Sequence, residues 1–438
     1  MPVRLLVFAS LACLVPCAFA ATLAQAVAQA LVHTPEIQAA RARLAAVGGQ
    51  AGQAQAEYLP SVNLAVGRGR EMSDNPSTRP LGSDQALTRR EGEITASQLL
   101  FDGGASGGQI RRLEARVEGA QYAVAASAES VALRAGQAFL DVRRLREQME
   151  VARKNRAIHE HTLDDVRALA MGGRGRRADV VQAQARLALV NTSLEQLRGQ
   201  LAQTEALYWI LTGNEPGSLE PPASLVAALP ERIEDALARA FRDHPDMRAA
   251  QKELEAAQHE HDSARARLYA PRLSLEVGAT RQYDLDGIAG LNADRYAMLR
   301  LRYNVFRGFG DQERVREAAA RIEEALAGVK RARRELERTS RQSWEALAAD
   351  RARLAHMDAY ARASAEVAEA YRAQFQLGQR SLLDLLNAEN ERFGALSGYI
   401  AAQAAVTLDE IQVLASLGGL LHALGLALPA PLEQGTLP

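Results

Sequence analysis

The chain has 438 residues, 47% of them hydrophobic and 24% charged, with a net charge of -1 and a mean hydropathy of -0.19. After the first twenty residues no apolar run approaches the ~18 residues a membrane helix needs, which excludes a multi-span helical membrane protein. A near-neutral chain with pI ≈ 6.7 carries no bulk electrostatic footprint for nucleic acid.

The first element is a leader. Arg4 precedes the apolar run Leu5 to Phe19, and Ala18-Phe19-Ala20 forms a small-residue cleavage site, so residues 1–20 read as a secretory signal peptide. Both cysteines, Cys13 and Cys17, lie inside it. Pro16 before Cys17 argues against a lipidated cysteine, and the processed chain has neither disulfide nor thiol chemistry. Losing Arg4 takes its net charge to -2.

The remainder is a tandem duplication. At an offset of 205, Phe101-Asp102-Gly103 meets Phe306-Arg307-Gly308, Gly173 meets Gly378, Asp179 meets Asp384, Ala183 meets Ala388 and Gly213 meets Gly418. Upstream the offset is 210 to 211, pairing Pro35 with Pro245, Tyr58 with Tyr269 and Pro60 with Pro271. The organisation is a first repeat over 21–213, a Pro- and Gly-rich linker over 214–230, a second repeat over 231–420 and a tail over 421–438.

Each repeat has the same internal order. A helical stretch, Thr22 to Glu57 or Ile233 to Leu268, ends before a proline, which disfavours helical geometry in its predecessor. Alternation follows in Val62, Leu64, Val66 and in Leu273, Leu275, Val277, Ala279. A polar loop (Ser73 to Arg90, Asp284 to Asp294) leads to a second alternating segment, Glu93 to Phe101 or Tyr296 to Phe306. Such segments of about ten residues fit transmembrane β-strands, and equally a soluble hairpin with one buried face.

A long helix comes next, from about Gly108 to Ala170 in copy one, roughly 95 Å at 1.5 Å per residue. Ile110, Val117, Val124, Val131 and Val315, Ile322, Val329, Leu336 recur every seven residues, with Leu113, Ala120, Ser127 and Ala318, Ala325, Ala332 three positions on. Small residues in that seam predict close helix pairing. A glycine-containing break at Met171-Gly172-Gly173 and Leu377-Gly378 returns the chain along another long helix. The fold class is α+β and mostly helical, with long helical hairpins in tandem and two β-hairpins per chain. Four strands cannot close a barrel, which takes about eight, so membrane insertion of these strands requires further copies.

Other motifs carry less. Gly104-Ala105-Ser106-Gly107-Gly108 matches a nucleophile elbow, but no parallel strands alternate with helices, and Phe309-Gly310-Asp311 in copy two lacks the serine. The chain is not read as an enzyme, and no cofactor is implied. His159-Glu160-His161 and His259-Glu260-His261 place histidines two apart, on different sides of a helix, and read as solvated surface rather than metal ligands. No G-x-x-x-x-G-K-[ST] phosphate-binding loop occurs, so ATP chemistry is not expected of this chain.

Taken with the signal peptide and duplicated units, Leu100-Phe101-Asp102-Gly103-Gly104 and Gly378-Gln379-Arg380-Ser381-Leu382-Leu383-Asp384-Leu385-Leu386-Asn387-Ala388 resemble the TolC family of outer-membrane efflux proteins. The resemblance implies a homotrimer in the outer membrane, four strands per protomer building a 12-stranded barrel above a periplasmic helical tunnel. It also implies a periplasmic adaptor, an inner-membrane transporter and outer-membrane lipid as partners, with no nucleic acid. The tunnel tip would be an aperture. Asp384 falls on one ring aspartate of the family and Asn387 on the other, so one ring of three carboxylates is expected. Arg380 and Phe375 fall on the arginine and tyrosine of the closed tip, and Asp179 on their aspartate. Phe375 has no hydroxyl and Ala178 replaces a threonine, leaving an expected Arg380–Asp179 pair. The alternative at these residues is an ordinary i, i+4 pair of Arg380 with Asp384.

Within the family, Leu301-Arg302-Tyr303-Asn304-Val305-Phe306-Arg307-Gly308 and Asp311-Gln312-Glu313-Arg314-Val315-Arg316-Glu317-Ala318 look most like the type I protein-secretion branch, which works with an ATP-binding transporter. A drug- or metal-efflux channel is the alternative. From another class, a coiled-coil adhesin or periplasmic adaptor would share the helices but not the matched hairpins.

Overall fold

The computed structural model describes residues 20–81 and 85–427; all but the last residue of the proposed leader lies outside them. The described chain forms two compact units. One gathers residues 20–35, 128–237 and 338–427, and the other holds 36–127 and 238–337, less 82–84.

The element order repeats. Helices α1 (Leu23–His33) and α2 (Pro35–Ala56), strands β1 (Ser61–Ser73) and β2 (Gln85–Phe101), and helices α3 (Ala105–Met171) and α4 (Arg177–Thr212) make the first copy. Helices α5 (Ile233–Asp243) and α6 (Pro245–Tyr269), strands β3 (Arg272–Leu285) and β4 (Ile288–Arg302), and helices α7 (Gly310–Gln376) and α8 (Leu382–Ser416) make the second, followed by the short α9 (Leu420–Ala423). Both α3 and α7 have 67 residues, about 100 Å of helix, and their ends match at the offset of 205. Among the described residues no helix is long and apolar enough to cross a membrane.

The stretches read as single helices over 22–57 and 233–268 are each broken, because Pro35 and Pro245 force their predecessors out of helical geometry. Thr34 (φ -71°, ψ 126°) and His244 (φ -60°, ψ 132°) are extended, and the His244 ring accepts from the Asp246 amide to start α6. The loops read over 73–90 and 284–294 are much shorter, since β2 begins at Gln85 and β4 at Ile288. Backbone pairing there continues past the apolar alternation, with Arg68 opposite Arg90 and Gln282 opposite Asn292. At its other end β4 stops at Arg302, short of Phe306.

In the strand-bearing unit, the four strands form one antiparallel sheet in the order β1-β2-β3-β4, so the two hairpins pair with each other. Val62, Leu64, Val66, Leu299 and Leu301 are all exposed, an apolar face on a sheet whose edges β1 and β4 have no partner strand among the described residues. Asp102 caps α3, accepting from the Gly104 and Ser106 amides at 3.1 and 2.8 Å, and the Ser106 hydroxyl donates to it at 2.6 Å. The serine of the elbow-like motif is thus a buried capping partner. Close helix approach is visible where α3 meets α6. A Cβ at Gly108 would lie 3.0 Å from the Ser263 Cβ, and the Ser263 hydroxyl donates to the Ala105 carbonyl at 2.7 Å. Ile110 and Val117 of the seven-residue seam pack on Ala51, Ala54 and Leu113.

In the helical unit, the same seven-residue series continues from Val131 to Ala138 and Leu145, all buried, and Ala135, Phe139 and Val142 beside it are not measurably exposed. The α1 helix is anchored here by Thr34, whose hydroxyl donates to the Ala30 and Leu211 carbonyls. Behind α8, the Glu129 carboxylate accepts from the Leu420 and Leu421 amides at 3.2 and 3.3 Å, fastening α9 to α3.

Candidate aperture at the helical turns

Two turns reverse the long helices, 172–176 after α3 and 377–381 after α7. Each depends on a glycine in the left-handed region, Gly173 at φ 71° and Gly378 at φ 74°, where a Cβ would collide with the following carbonyl. Below them Leu163, Val166, Ala183, Leu382 and Leu386 form a small buried cluster with Phe375 packed on it. Phe375, placed by the sequence at the family's tyrosine position, therefore serves as apolar packing.

The two equivalent carboxylates begin equivalent helices. Asp179 is three residues into α4 and accepts weakly from the Arg176 amide at 3.4 Å. Asp384 stands at the same place in α8. There Ser381 caps the helix, its Oγ accepting from the Asp384 amide at 3.2 Å and donating to the Asp384 carboxylate at 2.8 Å. Carboxylates in a first helical turn are favoured by the helix dipole.

Arg380 makes neither expected ion pair within the chain. Among the described residues it touches neither Asp179 nor Asp384. Its guanidinium lies 3.9 Å from the centroid of the Tyr371 ring, and its Nε donates to Gln374 Oε1 at 3.1 Å. The reason is reach along one helix end: Tyr371 and Gln374 occupy the last turns of α7, directly beneath the loop that carries Arg380. A tyrosine is thus present at the tip, one turn before Phe375, at a position to which the family resemblance gives no role. Asn387 accepts from Arg186 Nη2 at 3.0 Å, bridging α8 to α4.

Other groups were invisible to pattern reading. Glu389 is 1% exposed and is held by Arg372 and by Arg392, the latter at 3.1 Å. His159, read from the sequence as solvated, is 2% exposed with both ring nitrogens unpartnered, whereas His161 is on the surface and meets Asp165 at 3.0 Å. The two-residue spacing turns one histidine inward and the other outward. Burial holds His159 below the usual histidine range, opposed by the nearby Glu389 charge and reinforced by Arg186. Asp409 is pushed up to about 6 by burial and by Asp350 across from it, and burial raises Glu129 to about 7 despite its two amide donors. Among the described residues no cluster of three or more potential ligands could hold a metal ion.

Comparison with known proteins fits this arrangement. The model of the outer membrane efflux protein family matches the chain twice, over residues 26–211 and 236–419. The chain is 30% identical over 322 residues to the protein CyaE of Bordetella pertussis, a match covering 71% of this chain and 66% of that one, just under two thirds. It is 26% identical over 415 residues to the outer membrane efflux protein BepC of Brucella suis, covering 93% and 86%. In fold it matches the crystal structure of the outer membrane protein VceC of Vibrio cholerae with a TM-score of 0.78 at 20% identity, over 91% and 96% of the two chains. With its paired hairpins, long helical hairpins and a family match in both halves, this chain belongs to the outer membrane efflux protein family, a channel protein of the outer membrane and not an enzyme.

Proposed function

We propose that this chain is the outer-membrane channel of a type I protein-secretion system, receiving unfolded polypeptide from an ATP-driven inner-membrane transporter through a periplasmic adaptor. Residues 1–20 direct export. The repeats over 21–213 and 231–420, joined by 214–230 and followed by the tail 421–438, each supply two strands and a helical hairpin. Among the described residues β1 and β4 are open edges of a sheet with an apolar face, so closure takes further copies, and the family resemblance implies three. The observation that carries the secretion reading is the segment Leu301 to Ala318, whose residues resemble that branch and span the passage from β4 into α7.

The aperture in this reading is built from Asp179, Phe375, Arg380, Asp384 and Asn387. Three copies of Asp384 around an axis repel one another and favour cations. Arg380, seated on Tyr371, is the neighbouring positive charge that tempers this repulsion. Deleting the gene tests the reading. We expect a large secreted polypeptide to disappear from the culture medium while tolerance to dyes, antibiotics and metal ions is unchanged. Unaltered secretion with a loss of drug tolerance would assign the channel to efflux.

A further inference from the structure

The strand ladder separates the sheet's charges by face. Side chains alternate across a strand, so ladder partners share a face. Val62, Leu64 and Val66 on β1 share theirs with Ile94, Val277 and Leu299. On that same face, beyond the apolar rows, stand Arg68, Arg70, Arg90, Arg281 and Arg295. All the carboxylates of the paired rows, Glu71, Glu91, Glu93, Glu276 and Asp294, fall on the opposite face. There they hold their own arginines: Arg89 meets Glu71 and Glu91 at 3.2 and 2.6 Å, and Arg300 and Arg302 meet Glu276 at 2.6 and 3.0 Å.

The five arginines of the apolar face are all exposed, and among the described residues none meets a carboxylate. They form one patch across four strands. Arg68 is directly opposite Arg90, Arg70 is diagonal to Arg90, and Arg281 is diagonal to both Arg90 and Arg295. Like charges directly opposite in a ladder are unfavourable. Between them Tyr283 lies opposite Arg90, with the Arg90 and Arg281 guanidinium groups 5.2 and 5.6 Å from its ring centroid and Arg281 Nη2 donating to its hydroxyl at 2.8 Å. Tyrosine at the end of an apolar band is placed as an interfacial residue. The patch holds five guanidinium groups and no lysine, and the planar fork of arginine matches a phosphate through paired hydrogen bonds.

We propose that this patch binds the phosphate groups of a phosphorylated membrane-lipid headgroup packed against the outside of the sheet. The inference rests on the outer-membrane placement of the sheet and is independent of the exported substrate. An anion lying among the arginines removes the repulsion between Arg68 and Arg90, and the acyl chains of the same molecule cover Val62, Leu64 and Val66.

The test uses the full-length assembly in detergent, with binding of bis-phosphorylated lipid A and its dephosphorylated form measured by native mass spectrometry. We expect the phosphorylated lipid to bind at least tenfold more tightly. The R68Q/R90Q/R281Q variant should lose that preference, whereas Arg300→Gln, on the other face, should keep it. Equal binding of the two lipids by the wild-type assembly overturns the proposal, as does a preference that survives in the triple variant. Displacement of the lipid by micromolar inorganic phosphate also overturns it, because the site would then take the free anion. A chain found only in the soluble periplasm, without heat-modifiable gel mobility, would instead show that the membrane placement fails. If the triple variant does not assemble, the wild-type comparison still decides.

Discussion

Glu129 offers the sharpest test of the packing of the helical unit. Its carboxyl is 8% exposed and raised from 4.5 to about 7, with burial outweighing the two amide donors from Leu420 and Leu421. A carboxyl whose folded value lies above its unfolded value costs nothing below the unfolded value. The cost grows as pH rises between the two and is complete above the folded one. At 1.36 kcal/mol per pH unit, the rise corresponds to about 3 kcal/mol of lost stability by pH 8.5. Glu129→Gln removes the titration. The variant has one acceptor oxygen instead of two, so one amide loses its partner at a cost of about 1–3 kcal/mol. That loss is the same at every pH and cancels when two pH values are compared. The stability of the variant relative to wild type should therefore improve by about 3 kcal/mol between pH 4.5 and 8.5. Hydrogen exchange of a peptide spanning Leu420 and Leu421, corrected for the intrinsic rate, reads this as a relative gain in protection of about a hundredfold. A pH-independent difference between the two proteins would refute a buried, charge-disfavouring site for Glu129.

Asp409 is held up to about 6, so Asp409→Asn should gain stability over wild type by roughly 2–3 kcal/mol as pH rises from 4 to 7.5; parallel pH–melting curves would contradict this. His159 is held below 6.5 by burial, so the native state loses stability as pH falls below 6.5, and His159→Leu should flatten that acid limb in thermal unfolding followed by circular dichroism. In single-channel recording, Arg380→Ala should raise the closed-state conductance, and an unchanged baseline would remove Arg380 from the aperture. Asp384→Ala should weaken block by divalent cations, with unaltered block counting against a carboxylate ring.

Much of this architecture was legible because a duplication states each element twice. The glycines at 173 and 378 fix the turns, and the strand alternation gave the apolar face correctly. Less legible are the junctions, where one local signal opposes another. Pro35 and Pro245 mark corresponding points of the two repeats and also break the helix there. The polar ends of β2 and β4 gave no apolar alternation, because ladder pairing there is sustained by the backbone while the side chains are charged. Burial of His159, Glu389 and Glu129 could not be read at all. Each is polar by type and is buried only because of what packs on that particular side of its helix, which for Glu129 is the short α9. The Arg380–Asp179 pair is an expectation from the family resemblance, and within the chain Arg380 lies instead on Tyr371, a contact the resemblance does not indicate.

That last point explains why two nearly identical helical hairpins need not act alike. At the offset of 205, Gly173 and Gly378 share a backbone conformation, and Asp179 and Asp384 share a place three residues into their helices. The differences fall on residues that touch. Copy one has Gly175 and the buried Val166 where copy two has Arg380 and Tyr371, and it is this second pair that stacks at 3.9 Å. An arginine on an aromatic face contributes about 0.5–2 kcal/mol, the more so when shielded from water. That is enough to favour one position of the loop. Ser381, standing where copy one has Arg176, adds a capping hydroxyl to the same turn. The α3–α4 turn carries no such set, since a Cβ at Gly175 would sit 2.9 Å from the Ala170 amide. Duplication thus supplied two equal backbones, and the arginine–tyrosine contact and the serine cap were placed on the second.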